Sequence, residues 1–269
     1  MNLKDQTILI TGGASGIGRL MGGMALEKGA KQLIIWDINP QNIEETIKEH
    51  SARGLVKGYR VDVADSQAVA EAYQRVKAEC GEVDVLIQCA GVVTSNKTFD
   101  LNTITDIDRT ISINTMAPMY MALNVLPDMK VRDHGCICNI ASAAGLLSNP
   151  NMSVYAASKW AVIGWSDSVR IELQRAKSHV RITTVAPYFI NTGMFNGVKS
   201  KVFPILDPVK TSRKILRAIE RGRTFRGIPF SFHFARFWQG VLPMRWVDFI
   251  FGDLFGIYHA MDQFTGRKQ

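Results

Sequence analysis

The chain has 269 residues, of which 46% are hydrophobic and 21% charged, which suits one packed α/β unit and excludes a disordered or fibrous chain. Its four cysteines (Cys80, Cys89, Cys136 and Cys138) form no CxxC pair and its histidines have no HExxH spacing, so neither a disulfide framework nor a metal site is expected and a reducing compartment suits it. The net charge is +8, and the whole excess lies at one end: residues 199–269 hold 13 Lys/Arg against 5 Asp/Glu, whereas residues 1–198 hold 19 of each.

In chain order, residues 7–11 read as a buried strand, followed by glycines and a helical pattern to Lys28. A second apolar run, Gln32 to Trp36, ends at Asp37, and residues 40–53 are helical with one charged face. A short strand, Gly58 to Val61, ends at Asp62, and residues 66–80 are helical again. Val83 to Gln88 is a strand followed by Ala90-Gly91, and residues 103–131 read as one helix with Pro118 near an early kink. Gly135 to Ile140 is a strand leading to Ser142, residues 152–177 form a long helix, and Val180 to Val185 is a strand leading to Pro187. Strands alternating with helices predict a Rossmann-type, doubly wound parallel sheet in a single domain. Residues 1–198 form its core, and residues 199–269 form a C-terminal aromatic and basic extension. The N-terminus shows no signal-peptide pattern, and no run of 18 uncharged apolar residues occurs, so a cytoplasmic protein without a transmembrane helix is expected.

The first strand-to-helix turn carries Thr11-Gly12-Gly13-Ala14-Ser15-Gly16-Ile17-Gly18. Small residues let the backbone approach a pyrophosphate, and the following helix N-terminus offers free N–H groups and a positive dipole end. Asp37 closes the second strand, where a carboxylate accepts hydrogen bonds from adenosine ribose hydroxyls and repels a 2′-phosphate. No Arg or Lys stands beside it in sequence, which favours NAD over NADP; a helix cap before Pro40 is the alternative role.

Tyr155 and Lys159 are four apart on a helix and share a face. Ser142 lies just past a strand end, where parallel sheets bind ligands, and Asn114 lies on the preceding helix. A phenol with a pKa of about 10 is a poor base at neutral pH, and a neighbouring ammonium favours the phenolate. Tyr155 would exchange the alcohol proton, Lys159 would polarise it and hold the nicotinamide ribose, Ser142 would hold the substrate oxygen, and Asn114 would hold water toward Lys159.

In these motifs, residues 3–195 resemble the short-chain dehydrogenase/reductase family. The resemblance implies that Asp62-Val63 borders the adenine, that Cys89-Ala90-Gly91 adjoins the cofactor, and that Pro187, Ile190 and Thr192 contact the nicotinamide carboxamide. Ile38 would follow Asp37 beside the adenosine, and Ala144 and Tyr188 would line the substrate pocket. Homodimers or homotetramers are usual in the family. Two departures stand out. The family's Asn-Asn-Ala-Gly is Gln88-Cys89-Ala90-Gly91 here, which puts strand-end hydrogen bonding in doubt, and its Pro-Gly is Pro187-Tyr188.

Residues 225–264 carry 12 of the 24 aromatics, interleaved with Arg226, Arg236 and Arg245. Rings beside cations suit a lipid interface, reached through residues 228–262; a subunit contact or additional core is the other reading. No nucleic-acid recognition module is present. Trp36-Asp37-Ile38-Asn39, Ser142-Ala143-Ala144-Gly145, Asn191-Thr192-Gly193-Met194, Gly227-Ile228-Pro229, Leu242-Pro243 and the ending Met261 to Arg267 resemble the lipid-associated 17-beta-hydroxysteroid and epidermal-type retinol dehydrogenases. That subgroup implies apolar alcohols such as retinoids or steroids. Its members carry a hydrophobic N-terminal anchor that this sequence lacks, so membrane attachment would rest on the tail. A soluble reductase of acyl or sugar-like carbonyls, and a non-catalytic dinucleotide-sensing or lipid-binding protein, are the competing functions.

Overall fold

A computed structural model describes residues 1–266. Seven parallel strands form one sheet in the order β3-β2-β1-β4-β5-β6-β7. They are β1 (Thr7–Thr11), β2 (Gln32–Asp37), β3 (Leu55–Arg60), β4 (Val85–Gln88), β5 (Cys136–Ile140), β6 (Arg181–Pro187) and β7 (Phe225–Ile228). The chain runs outward from β1 to β3 and then returns to the other side of β1 at β4. That reversal leaves a crevice at the carboxyl ends of β1 and β4, the usual ligand position in such sheets.

Successive residues of the central strands point to opposite faces and build two cores. Ile8, Ile10, Leu33 and Ile35 face α1 (Gly16–Glu27), which packs there with α7 (Pro208–Glu220). Leu9, Ile34, Trp36 and Ile137 face α3 (Ser66–Cys80), α5 (Ala117–Arg132) and the later part of α6 (Ser153–Arg175). Capping side chains set where the helices begin. Asn39 accepts from Asn42 N ahead of α2 (Pro40–His50), Asp65 accepts from Gln67 N and Ala68 N ahead of α3, and Thr103 with Asp106 forms a capping box for α4 (Ile104–Ile111).

The helix expected over residues 103–131 is present and stays helical from Ile104 to Arg132, with a π-turn at Ser112–Met116 between α4 and α5 that holds Asn114. Pro118, which removes one backbone donor, follows directly on that π-turn, the irregularity that stands where a kink was expected. The edge strand β3 begins earlier than expected, at Leu55, because its exposed residues hide the apolar pattern. Helix α7, capped by Asp207, was not anticipated from the sequence.

The tail is divided between core and surface. Phe232, Ala235, Val247, Ile257, Ala260 and Met261 are buried against the sheet domain. Phe230, Phe234, Phe237, Trp238, Trp246 and Phe249 are exposed, in and around the short helices α8 (Ala235–Val241) and α9 (Met244–Val247). Arg267, the last residue of the motif ending the chain, lies outside the described residues. No helix among the described residues is long and apolar enough to cross a membrane.

Candidate active site

The residues that follow β1, β4, β5 and β6 open onto one cavity of about 800 Å³. Gly12, Ser15, Gly16 and Ile17 line one end of it. Gly12 adopts φ +64°, and a Cβ there would lie 2.9 Å from the Ala90 backbone, so the turn tolerates glycine alone. Gly16, at φ +51°, is different. A Cβ there would project beside Thr192, 3.7 Å away, into the space a ligand phosphate needs. Gly18 does not line the cavity. A Cβ on it would meet Gly12 O at 2.2 Å, so its role is close packing of α1 behind the loop. Ser15 precedes α1 in extended conformation with no side-chain cap bond, and its hydroxyl is free for a ligand.

The Asp37 carboxylate is held at the end of β2. Oδ2 accepts from Ala14 N at 3.1 Å and Oδ1 from Asn39 N at 3.2 Å. Asn39, not Asp37, caps α2. Ile38 lines the same end, as do Asp62 and Val63, with Asp62 Oδ1 accepting from Ala64 N at 3.0 Å. The sheet also brings Arg60 opposite Asp37 in the strand register, a cation the sequence alone did not place there. No ion pair joins the two among the described residues.

Gln88 answers the first family departure. Its Nε2 donates to Asn139 Oδ1 at 3.0 Å and to Pro118 O at 3.1 Å, and Asn139 Nδ2 donates to Ser166 Oγ at 2.7 Å. A longer amide thus ties β4 to β5 where asparagine was expected. Cys89 N and Ala90 N donate to Thr11 Oγ1, which fixes the turn that carries Cys89, Ala90 and Gly91 along the cavity wall.

Ser142, Tyr155 and Lys159 meet in the middle of the cavity. Ser142 Oγ accepts from Ala144 N at 3.1 Å. Lys159 Nζ lies 5.7 Å from the Tyr155 ring centroid and donates to Ile140 O at 3.0 Å. Both α6 side chains are buried. Burial pushes the Tyr155 phenol up to about 12, with the Ser142 hydroxyl opposing it, and pushes the Lys159 ammonium down to about 8. The ammonium donates to the Ile140 carbonyl, and burial of the phenol outweighs the opposing effect of the hydroxyl.

Asn114 stands apart from these three. It is 1% exposed and outside the cavity wall. Its Oδ1 accepts from Val92 N at 2.8 Å, and its Nδ2 donates to Val92 O at 2.9 Å and Ser158 Oγ at 3.2 Å. The amide therefore anchors the strand-end segment against α6, while its Oδ1 and Lys159 Nζ flank one point beside Gly91, 3.3 Å and 3.6 Å from where a Cβ there would stand.

The far end of the cavity is apolar. Ala144 and Tyr188 line it, with Pro187, Ile190 and Thr192 between them and the glycine loop. Tyr188 stacks on Phe232 at 5.5 Å, and its hydroxyl donates to Ser200 Oγ at 3.2 Å. Phe195 meets the Tyr155 ring edge to face at 6.2 Å. Leu147, Phe189, Phe195, Phe232 and Ile257 complete this wall and were not picked out as site residues from the sequence. The apolar run after Ser142 was a usable signal for Leu147. Nothing in spacing signals Phe232 or Ile257, which arrive from the tail.

Known proteins fit this geometry. A family model for short chain dehydrogenases matches residues 6–202. The chain is 34% identical to epidermal retinol dehydrogenase 2 of Homo sapiens, over all of this chain and 88% of that protein. It is 31% identical to estradiol 17-beta-dehydrogenase 11 of Homo sapiens, over 91% of this chain and 82% of that one. The crystal structure of levodione reductase shares the fold, with a TM-score of 0.74 at 23% identity over 84% of this chain and 97% of that chain. The chain belongs to the short-chain dehydrogenase family, oxidoreductases that act on CH–OH groups with a nicotinamide dinucleotide.

Proposed function

We propose that the protein is an NAD-dependent dehydrogenase that interconverts a lipophilic alcohol, retinoid- or steroid-like, and its carbonyl compound. The observation that carries this reading is one cavity in which Ser142 and Tyr155 stand between a glycine-rich phosphate cradle and an apolar wall.

The cradle fits a dinucleotide: its glycines clear the space beside Thr192, and α1 points its N-terminus at the same place. Gly12, Ser15, Gly16 and Ile17 would hold the pyrophosphate, Asp37 and Ile38 the adenosine ribose, Asp62 and Val63 the adenine. Cys89, Ala90, Gly91, Pro187, Ile190 and Thr192 would border the nicotinamide half. The fixed Asp37 carboxylate supports NAD over NADP, because a 2′-phosphate would face a like charge. When bound, the cofactor exchanges a hydride with the carbinol carbon.

The protein's own groups handle the proton and the oxygen. Ser142 holds the substrate oxygen in place by hydrogen bonding. Tyr155 Oη gives its phenol proton to the carbonyl oxygen in reduction; in oxidation it acts as the phenolate, its own proton first released to solvent, and takes the hydroxyl proton. Lys159 supplies a cation in a dry setting, and its reach toward the cofactor ribose would turn it from Ile140 O and nearer the phenol. Asn114 holds the Val92 segment and α6 at fixed spacing. The largely apolar wall around Tyr155, in which Asn149 is a polar exception, suits a hydrocarbon better than a sugar.

The exposed rings at Phe230, Phe237, Trp238 and Trp246, with Arg236 and Arg245 beside them, support peripheral attachment to an anionic lipid surface. The test is NADH production across short-chain alcohols, sugar alcohols, retinol and steroid alcohols. Turnover of retinol or steroid above the others is expected; preference for sugar alcohols would overturn the substrate class, and equal use of NADP would overturn the cofactor.

A further inference from the structure

A second cavity, of about 280 Å³, lies against the first. Leu147 and Ile257 line both, so these two side chains form the partition between them. The remaining wall is largely apolar, built by Trp160, Met244, Val247 and Phe251. Of its polar groups, Gln239 Nε2 donates to Leu146 O at 2.6 Å and Tyr258 Oη donates to Asp248 Oδ1, and Ser148 also lines it. The outer end reaches the surface, where Trp160 is 41% and Met244 63% exposed. Met244 is followed directly by Arg245 and Trp246, part of the basic, aromatic face.

Both partition side chains are buried; the Ile257 carbonyl accepts from Ala260 N at 3.2 Å and from Asn149 Nδ2 at 3.5 Å, and Gly256 at φ +70° precedes it. The volume also decides between uses. At about 280 Å³ the cavity falls just below the range of about 300–1,000 Å³ in which small-molecule sites occur. It is too small for an independent lipid but serves as an annex to the larger cavity, which must hold both a dinucleotide and a reacting carbinol.

We propose that the second cavity takes the distal hydrocarbon chain of a long alcohol whose carbinol sits at Ser142 and Tyr155, with Leu147 and Ile257 parting to admit it. This rests on the dehydrogenase reading above. It gives the enzyme a chain-length preference and places the substrate's entry on the aromatic face of the tail.

The test uses the full chain with NAD and two alcohols, butanol and dodecanol. Met244→Trp at the rim and Val247→Phe deeper in each narrow the annex, and thermal melting checks that both fold. Each variant is expected to lower kcat/KM for dodecanol about tenfold, the equivalent of losing burial of two methylenes, with butanol changed by less than about twofold. A second readout needs no turnover. Dodecanol brominated at its terminal carbon is expected to quench tryptophan fluorescence more than dodecanol brominated beside the carbinol, and Trp160→Phe is expected to remove that difference. An unchanged dodecanol-to-butanol ratio in folded variants, or a quenching difference that survives Trp160→Phe, overturns the proposal. Quenching that behaves as expected in a protein that oxidises no alcohol upholds the chain site and overturns the dehydrogenase reading instead.

Discussion

Residues 1–198 and residues 199–266 solve different problems with different surfaces. In the first region Lys/Arg and Asp/Glu balance, and Phe99 and Trp160 are its exposed Phe and Trp side chains. Its elements are long, as in the 23 residues of α6, and packed on both faces of the sheet. The second region carries 11 Lys/Arg against 5 Asp/Glu, +6 of the net +8, and, after α7, short helices of 7 and 4 residues. It buries one side of itself, through Phe232, Val247 and Ile257, and leaves six large aromatics in solvent. The difference teaches that the dinucleotide end depends on backbone geometry, whereas the substrate end depends on which side chains the tail delivers. Exposed rings beside arginines also make a poor water-facing surface and a good lipid-facing one.

If the first region holds the chemistry, Tyr155→Phe should have the largest effect. Turnover is expected to fall by about 10²–10⁴-fold, the usual contribution of a positioned acid–base group, while NADH binding measured by fluorescence stays within about twofold. Retained turnover would place the chemistry elsewhere. The second region should fail differently. Changing Phe237, Trp238 and Trp246 together to Ser is expected to weaken binding to anionic phospholipid vesicles by more than about tenfold, with melting temperature and butanol turnover unchanged. Raised salt should weaken it as well, because arginines contribute about 1 kcal/mol each near an anionic surface. Vesicle binding that survives both treatments would make this face a protein contact.

Asp37→Ala sharpens the comparison within the first region. Loss of hydrogen bonds to a carboxylate is expected to raise the Kd of NAD about tenfold and to bring NADP closer to it, measured by titration calorimetry. A pH dependence of stability tests the burial of Lys159 in the same region. Lys159 is held down to about 8 in the folded chain, against 10.5 ordinarily. Between those values the unfolded chain keeps a proton that the folded chain has released, so stability rises with pH across that window. Below about pH 8 both states are charged and the folded state carries the burial penalty. The rise is worth about 3 kcal/mol and is expected to vanish in Lys159→Met, as read by urea unfolding. Tyr155, held up to about 12, acts in the opposite sense and only above about pH 10.

The strands, most helices and the dinucleotide end were legible because each rests on local signals. Thr7 to Thr11 and Gln32 to Trp36 are continuous apolar runs, and Gly12, Gly16 and Gly18 mark a turn that side chains would block. The π-turn at Ser112–Met116 was not legible, because it leaves the apolar pattern of the helix almost unchanged. The partners of Asn114 were not legible either: spacing gives its position in the chain but not that Val92 takes its amide. Lys159 was expected to lower the phenol of Tyr155, yet its orientation toward Ile140 O and the burial of both are products of packing.

The sequence by itself determined the sheet, the glycine cradle, the Ser142, Tyr155 and Lys159 set and the uneven charge, since all follow from residue type and spacing along one element. Tertiary structure alone decided that Gln88 replaces an asparagine by reaching Asn139, that Arg60 stands opposite Asp37, and that Phe232 and Ile257 reach the wall around Tyr155. Those relations join residues far apart in the chain. No local periodicity records them, because burial of the tail against the sheet is what selects which of its aromatics turn inward and which remain outside.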